Sequence, residues 1–203
     1  MASSFLTDLR EGWGVFVGLT WVWTFVLAAG LGNLIWGAWT VLGPVVAERS
    51  LGGAAAWGTV LGAMGVGALL GSVIAIRARP RRPLVAASVA FSLFLFPLAC
   101  LAAGLPLVLL AAGALLGGVA MMLSNSIWES TLQARVPEES LSRVSAYDWF
   151  GSLAFNPVGM AIWGPIAVAI GLSPALWVAV ASLLVVNVSL LSVPAIWRLR
   201  AEG

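Results

Sequence analysis

Four long stretches of this 203-residue sequence contain no formally charged residue, and their lengths constrain the fold more than any motif does. They hold 36 residues between Glu11 and Glu48, 27 between Arg49 and Arg77, 46 between Arg82 and Glu129, and 49 between Asp148 and Arg198. A helix needs about 20 apolar residues to cross a hydrocarbon layer of about 30 Å. The two shorter stretches therefore predict one membrane span each, and the two longer stretches predict two each.

Tight turns at residues 104–106 (GLP) and 171–174 (GLSP) divide the two longer stretches. We predict six spans, at about residues 19–46, 54–77, 83–103, 106–132, 143–170 and 174–197. Strands of a membrane barrel would alternate apolar and polar residues, whereas residues 84–103 are continuously apolar. The predicted fold class is an all-α membrane protein, a bundle of six transmembrane helices.

The six spans organise the chain into three parts. Residues 1–18 form a juxtamembrane interfacial segment, with a short helix over residues 3–14; residues 19–197 form the transmembrane domain; and residues 198–203 form a cytoplasmic tail. Arginine supplies every basic side chain, since the sequence has no lysine, and nine of the ten arginines fall on one side of this topology. Basic residues favour the inner side of a membrane, so both termini are expected in the cytoplasm.

The residue types that are missing exclude several functions. Histidine is absent and Cys100 is the single cysteine, which removes histidine relays, Ser-His triads, disulfides within the chain and the usual metal sites. Ser152 and Ser182 then have no base to activate them, so we expect no enzyme activity and no cofactor. The arginines are explained by topology, which leaves no support for nucleic-acid binding.

Polar residues deep in the predicted spans are the candidates for substrate contact, because an amide in hydrocarbon needs a partner or a wet cavity. Asn33 and Asn156 lie deepest, and Asn125 is nearer the arginine-rich side. Each amide either meets a substrate or bonds a neighbouring helix. Trp36, Trp39 and Trp163 also lie deep, where they line a cavity or face lipid, whereas eight other tryptophans, Trp128 among them, lie where an interfacial aromatic belt is expected.

Three segments resemble major facilitator transporters. Residues 71–83 (GSVIAIRARPRRP) resemble the glycine-then-arginine loop between the second and third helices of each transporter half, although Ala75 and Ile76 stand where the family has an aspartate. Residues 135–148 (RVPEESLSRVSAYD) and 43–53 (GPVVAERSLGG) are similar to the hinge after the tenth helix and to the outer end of the seventh helix in bacterial siderophore and drug exporters. Together the resemblance covers the chain as one half, helices seven to twelve, of such a transporter.

This resemblance implies a secondary transporter half in the bacterial inner membrane, exporting a small, partly apolar compound by alternating access with an amino-terminal half or a second copy. Its candidate substrate-binding residues are Asn33, Trp36, Asn125 and Asn156, and its loop motif comprises Gly71, Arg77, Arg79, Arg81 and Arg82. Glu129 and Asp148 are expected to pair with Arg135, Arg143 or the loop arginines as a cytoplasmic charge lock, or else to be solvated at the interface. Two alternatives stay open: a six-helix substrate-binding subunit and an inactive fragment.

Two features of the spans predict local structure. Asn156-Pro157 and Gly164-Pro165 should kink the fifth span, since proline removes a backbone donor and clashes with the preceding turn. Small residues mark close-packed helix faces in the second and fourth spans. These residues are Ala63, Gly67, Gly71, Gly113 and Gly117.

Overall fold

The computed structural model describes the backbone of residues 5–200 and the side chains of residues 12–200. The predicted interfacial segment and cytoplasmic tail lie partly outside the described residues, at residues 1–4 and 201–203. The helices are α1 (Phe5–Gly18), α2 (Thr20–Val46), α3 (Ala54–Arg77), α4 (Pro83–Ser92), α5 (Leu95–Ala102), α6 (Leu107–Arg135), α7 (Glu138–Leu153), α8 (Phe155–Ile170), α9 (Leu172–Leu191) and α10 (Pro194–Arg198).

Within residues 5–200, six helical segments are long and apolar enough to cross a membrane, which confirms the predicted all-α six-helix bundle. The first span is α2 with a π-helical extension (Ala47–Leu51), and the second, fourth and sixth spans are α3, α6 and α9. The third span consists of α4 and α5, and the fifth consists of α7 and α8. We call the end that carries Arg77–Arg82, Arg135, Arg143 and Arg198–Arg200 the arginine-rich end, and the opposite end the Arg49 end.

Three of the predicted span boundaries move by five or six residues. The first span continues through the π-helical segment to Leu51 rather than ending near residue 46. Helix α7 begins at Glu138 rather than near residue 143, because Pro137 precedes it and Glu138 and Glu139 occupy its first turn, where acids complement the helix dipole. The sixth span ends at Leu191 rather than near residue 197, because Pro194 starts the separate short helix α10. Proline disfavours helical backbone in the residue before it, here Val193.

Prolines account for the interruptions within two spans. The fifth span breaks at Ala154, close to the predicted Asn156-Pro157 site, whereas Pro165 lies inside continuous helix. A break in the third span at Leu93–Phe94 was not predicted. Pro97 signals it, since proline has no N–H to donate to the carbonyl four residues earlier.

Helices α3 and α6 form the most intimate pair of the bundle through glycines. A Cβ atom at Gly67 would collide with the carbonyl of Leu115, and one at Gly118 would collide with the carbonyl of Met64. One turn further along α3, a Cβ at Gly71 would lie 2.6 Å from the carbonyl oxygen of Val119. Small residues let backbones approach this closely, so the packing role predicted for Gly67 and Gly71 is confirmed.

Helix α2 is similarly close to the fifth span. A Cβ at Gly30 would lie 2.7 Å from the carbonyl oxygen of Gly151, and a Cβ at Gly37 would lie 2.5 Å from the carbonyl carbon of Gly159. Trp163 adds a hydrogen bond across this contact, since its Nε1 donates to the carbonyl oxygen of Leu34 at 2.8 Å. The first and fifth spans are therefore locked together at three levels.

The buried apolar side chains fall into two clusters, one toward each end of the bundle. The cluster at the Arg49 end includes Trp39, Leu42, Leu98, Leu110 and Leu176. The cluster at the arginine-rich end includes Val22, Leu84, Leu132, Val144 and Ile196. A cavity lies between the two clusters and takes side chains from both of them.

Candidate functional site

The cavity has a volume of about 600 Å³ and lies within the helix bundle. Five of the six spans line it, and α3 is the one that does not. At 1.5 Å rise per residue, its lining runs from Glu129, about 9 Å from the end of α6, to Trp36, about 24 Å from the start of α2. The cavity therefore reaches from the arginine-rich half of the bundle to its middle.

Aromatic rings form much of the cavity wall. Trp36 and Phe94 lie 5.1 Å apart between ring centroids at the deep end, and Phe25 stacks on Trp128 at 4.3 Å near the arginine-rich end. Phe94 sits at the break in the third span, so the Leu93–Phe94 interruption places an aromatic ring at the cavity. Such walls can contact a partly apolar molecule over a large area.

Asp148 supplies the most buried charged group of the cavity, with 6% of its surface exposed. Its Oδ2 accepts a hydrogen bond from Trp128 Nε1 at 3.0 Å, and its Oδ1 lies 3.2 Å from Ser152 Oγ, which donates to it. The three residues come from α6 and α7, so this small network fixes the carboxyl group at the boundary between two spans. An indole N–H can only donate, and Oδ2 must therefore act as an acceptor.

Glu129 is the second acidic residue of the cavity, one residue after Trp128 in α6. It is half-buried and lines the same cavity as Asp148. In this conformation Arg135 donates to the carbonyl oxygen of Arg200, and the stem of Arg143 packs near Gly12 of α1. The charge lock between these acids and arginines stays a prediction, and Trp128 and Ser152 are the partners shown for Asp148.

Three of the four predicted substrate contacts line the cavity: Asn33, Trp36 and Asn125. Asn33 bridges two spans, since its Nδ2 donates to the carbonyl oxygens of Ala29 at 3.1 Å and Ser152 at 2.9 Å. The fourth candidate, Asn156, is half-buried in α8 and does not belong to the lining. The geometry thus brings together the polar groups of the first and fourth spans.

The cavity also contains polar residues that the sequence reasoning missed. Asn187 in α9 is 3% exposed, and its Nδ2 donates to the carbonyl oxygen of Leu183 at 3.0 Å. Ser88 and Ser124 are buried and line the cavity as well. Asn187 lies between Val186 and Val188, so the criterion that selected Asn33, an amide within an apolar run, would have found it.

The three deep tryptophans were expected to line a cavity or to face lipid, and only Trp36 does so. Trp36 lines the cavity, whereas Trp39 is 1% exposed and packs on Trp57 with ring centroids 4.9 Å apart. Trp163 is buried between α8 and α2. Trp128, expected in the aromatic belt, is 6% exposed and lines the cavity instead. Both Trp39 and Trp163 are core residues, because neighbouring helices pack on every side of them.

The predicted loop motif lies at the arginine-rich end, away from the cavity. Gly71 belongs to the α3–α6 contact, Arg77 ends α3, and Arg82 precedes α4. The Arg82 guanidinium lies 5.4 Å from the ring centroid of Trp197, within the range of a cation–π contact. Arg77, Arg79, Arg81 and Arg82 are all exposed, and none of them lines the cavity.

The fold and the cavity define a multi-pass membrane protein with an aromatic and acidic cavity between its helices. Within residues 12–200, no group of three or more side chains of the metal-binding types is placed to hold a metal ion. Comparisons with protein-family models, with curated proteins and with solved structures yield no match to this chain.

Proposed function

We propose that this protein is half of a secondary membrane transporter, which carries a small, partly apolar compound across the membrane by alternating access. One observation carries the proposal: a cavity of about 600 Å³ reaches the middle of an apolar helix bundle and combines aromatic walls with amide and carboxyl groups. Pockets of roughly 300–1,000 Å³ with apolar walls and a few polar groups are typical of small-molecule sites. Polar groups at this depth in a membrane are costly unless they are paired or face a wet cavity, and ionisable groups there commonly mark substrate pathways.

The second half of the machine would come from another polypeptide or from a second copy of this chain. The resemblance of residues 71–83 and 135–148 to major facilitator transporters supports a two-half arrangement, in which one bundle rocks against the other around a central site. The arginine distribution supports an orientation with both termini in the cytoplasm. The resemblance to bacterial exporters supports a location in the bacterial cytoplasmic membrane. The resemblance to exporters supports efflux as the direction.

Transport can be tested with the full chain in proteoliposomes. The liposomes are loaded with a panel of small, partly apolar cationic, neutral and anionic dyes, and dye release is followed over time. We expect the protein to accelerate the release of at least one dye and the double variant Asn33→Ala/Trp36→Ala to lose that acceleration. Release that equals protein-free liposomes for every dye would overturn the transporter proposal.

Aqueous access to the cavity supplies an independent test. Met121 lines the cavity, whereas Leu69 on α3 is 70% exposed on the outer surface of the bundle. Each residue is replaced by cysteine in a Cys100→Ala background and treated with a polar, membrane-impermeant thiol reagent. We expect Met121→Cys to react and Leu69→Cys, surrounded by lipid, to stay unmodified. An unreactive Met121→Cys from both sides of the membrane would contradict a transport cavity.

A six-helix substrate-binding subunit is the second candidate, and one observation favours it. The cavity is lined by five spans of a single chain, so the residues described here build the site without a partner. Measuring the mass of the protein in detergent together with its ligand binding separates the two candidates. A monomer that binds a ligand tightly but releases no dye from liposomes would favour the binding subunit.

A further inference from the structure

The charge of the cavity lining is one-sided. Glu129 and Asp148 are its charged residues, and no arginine belongs to the lining within the described part of the chain. Lysine and histidine are absent from the sequence, so arginine is the only side chain that could have balanced these acids. Among residues 12–200, the cavity lining therefore presents two carboxyl groups and no cationic side chain.

The hydrogen-bond partners of Asp148 carry no positive charge, so they do not neutralise its carboxylate. Trp128 and Ser152 are neutral groups that orient the carboxyl and satisfy part of its hydrogen-bonding capacity. Glu129 adds a second acidic group to the lining of the same cavity. Like charges that share a low-dielectric site repel each other, and a cation placed between them relieves that repulsion.

The rest of the wall suits the apolar body of the same ligand. Phe25 and Trp128 stack beside the acidic end, and Trp36 and Phe94 face the deep end. Aromatic faces attract cations and also pack against hydrocarbon. An anion would be repelled by the two carboxylates. A neutral compound would not neutralise their negative charge.

We propose that the cavity binds an amphipathic organic cation, with its positive group between Glu129 and Asp148 and its apolar body against the aromatic wall. This inference rests on the proposed function, because it names the substrate class of the same cavity. The ligand chemistry is a single positive charge, such as an ammonium or phosphonium, buried within a bulky apolar frame.

The test compares three probes of similar shape that differ in charge: tetraphenylphosphonium, neutral triphenylphosphine oxide and anionic tetraphenylborate. Equilibrium dialysis of the purified full chain in detergent micelles measures each dissociation constant, with protein-free micelles as the blank. We expect the cation to bind at least about tenfold more tightly than the neutral probe, since a partly desolvated charge pair is worth roughly that factor. We expect the anion to bind most weakly.

Two variants locate the charge recognition. Asp148→Asn keeps an oxygen that accepts from Trp128, and Glu129→Gln tests the second acid without touching that network. Each should weaken cation binding by about tenfold and change neutral-probe binding by less than about twofold. The matched control is Glu139→Gln, which removes the same charge at an exposed position of α7 outside the cavity and should change neither value.

The outcomes separate this inference from the proposed function. If the neutral probe binds as tightly as the cation, or if Glu129→Gln and Asp148→Asn leave the cation affinity unchanged, the cation inference is wrong while a binding cavity remains. If no probe binds and no dye is transported, both proposals are wrong. Preferred cation binding that Glu139→Gln weakens as much as Asp148→Asn does would also overturn the inference, because surface charge would then explain it.

Discussion

Two segments of one row of residues in α6 behave very differently, although the same helix supplies both. Gly113, Gly117, Met121, Asn125 and Glu129 follow one another at four-residue spacing, so each is adjacent to the next while the row winds around the helix. The two glycines contact α5: a Cβ at Gly113 would lie 3.2 Å from Cys100 Sγ, and one at Gly117 would lie 2.8 Å from Pro97 Cγ. The next three residues line the cavity.

The difference shows which residues let two helices of this bundle touch and which residues lie where there is space between helices. Glycine leaves no side chain between helices, so α5 approaches α6 directly at the Arg49 end. Toward the arginine-rich end, the row carries the longer side chains of Met121, Asn125 and Glu129, and all three line the cavity together with Asp148 of α7. We call these two regions the closed end and the open end of the row.

The largest expected effect comes from bulk at the level of the closed end. Gly118→Leu places a side chain where its Cβ alone would collide with the carbonyl oxygen of Met64. A backbone cannot swing aside as a side chain can, so we expect a loss of about 3 kcal/mol or more, or no folded protein. Thermal unfolding in detergent measures the loss.

Gly65→Leu is the matched control for this substitution. Gly65 is an exposed glycine of α3, and a Cβ built there meets nothing within 4 Å. Its unfolding temperature should stay near that of the parent protein. Equal destabilisation by both leucines would show that the α3–α6 contact is not the cause.

A smaller effect is expected at Gly117, on the closed end itself. Gly117→Met introduces a Cβ 2.8 Å from Pro97 Cγ and 3.3 Å from Phe94 Cδ2, both of which are side-chain atoms. Side chains can shift more easily than backbone, so a loss of about 2 kcal/mol is expected in the same unfolding measurement. A tolerated methionine here would break the distinction between the closed and open ends.

Trp128→Phe should cost less again. It keeps an aromatic ring against Phe25, and it removes the hydrogen bond from Nε1 to Asp148 Oδ2 together with part of the buried indole ring. Loss of one hydrogen bond, with Ser152 still in place, corresponds to about 1 kcal/mol. If the free energy of unfolding is unchanged in Trp128→Phe but lower in Ser152→Ala, the hydrogen bond from Ser152 is the one that fixes the Asp148 carboxyl group.

The smallest stability effect is expected at the open end. Met121→Phe adds volume to a side chain that faces the cavity, so unfolding should change by less than about 0.5 kcal/mol. The added ring reduces the cavity, and dye release from liposomes should slow markedly. A large loss of stability would mean that the space around Met121 is packed in the folded protein.

The span count was predictable from the sequence because membrane thickness translates directly into residue number. Charge-free lengths predicted six spans, and their boundaries changed mainly where prolines act, at Pro137 and Pro194. The close helix–helix contacts could also be predicted from glycines at four-residue spacing, such as Gly67 and Gly71. These features depend on local chemistry and on length alone.

The cavity was only partly predictable, because its lining depends on how each helix is rotated toward its neighbours. Asn33 and Asn156 satisfied the same sequence criterion, yet α2 turns Asn33 to the cavity while Asn156 lies in α8 outside the lining. Asp148 was expected to pair with an arginine or to be solvated at the interface, and the partners shown for it are Ser152 and the indole of Trp128, 20 residues earlier in the chain. The pairing with Trp128 is tertiary, and no spacing rule within one helix reveals it.

Because the spans differ in length, we expect bilayer thickness to change the environment at the acidic end of the cavity. Helix α6 has 29 residues and extends about 43 Å, whereas the third span has 20 residues, about 30 Å. A membrane accommodates such mismatch by tilting the longer helix or by thickening locally. Glu129, six residues from the end of α6, therefore moves toward water in a thin bilayer and toward hydrocarbon in a thick one. Lipid chain length sets how much solvent this carboxyl group meets.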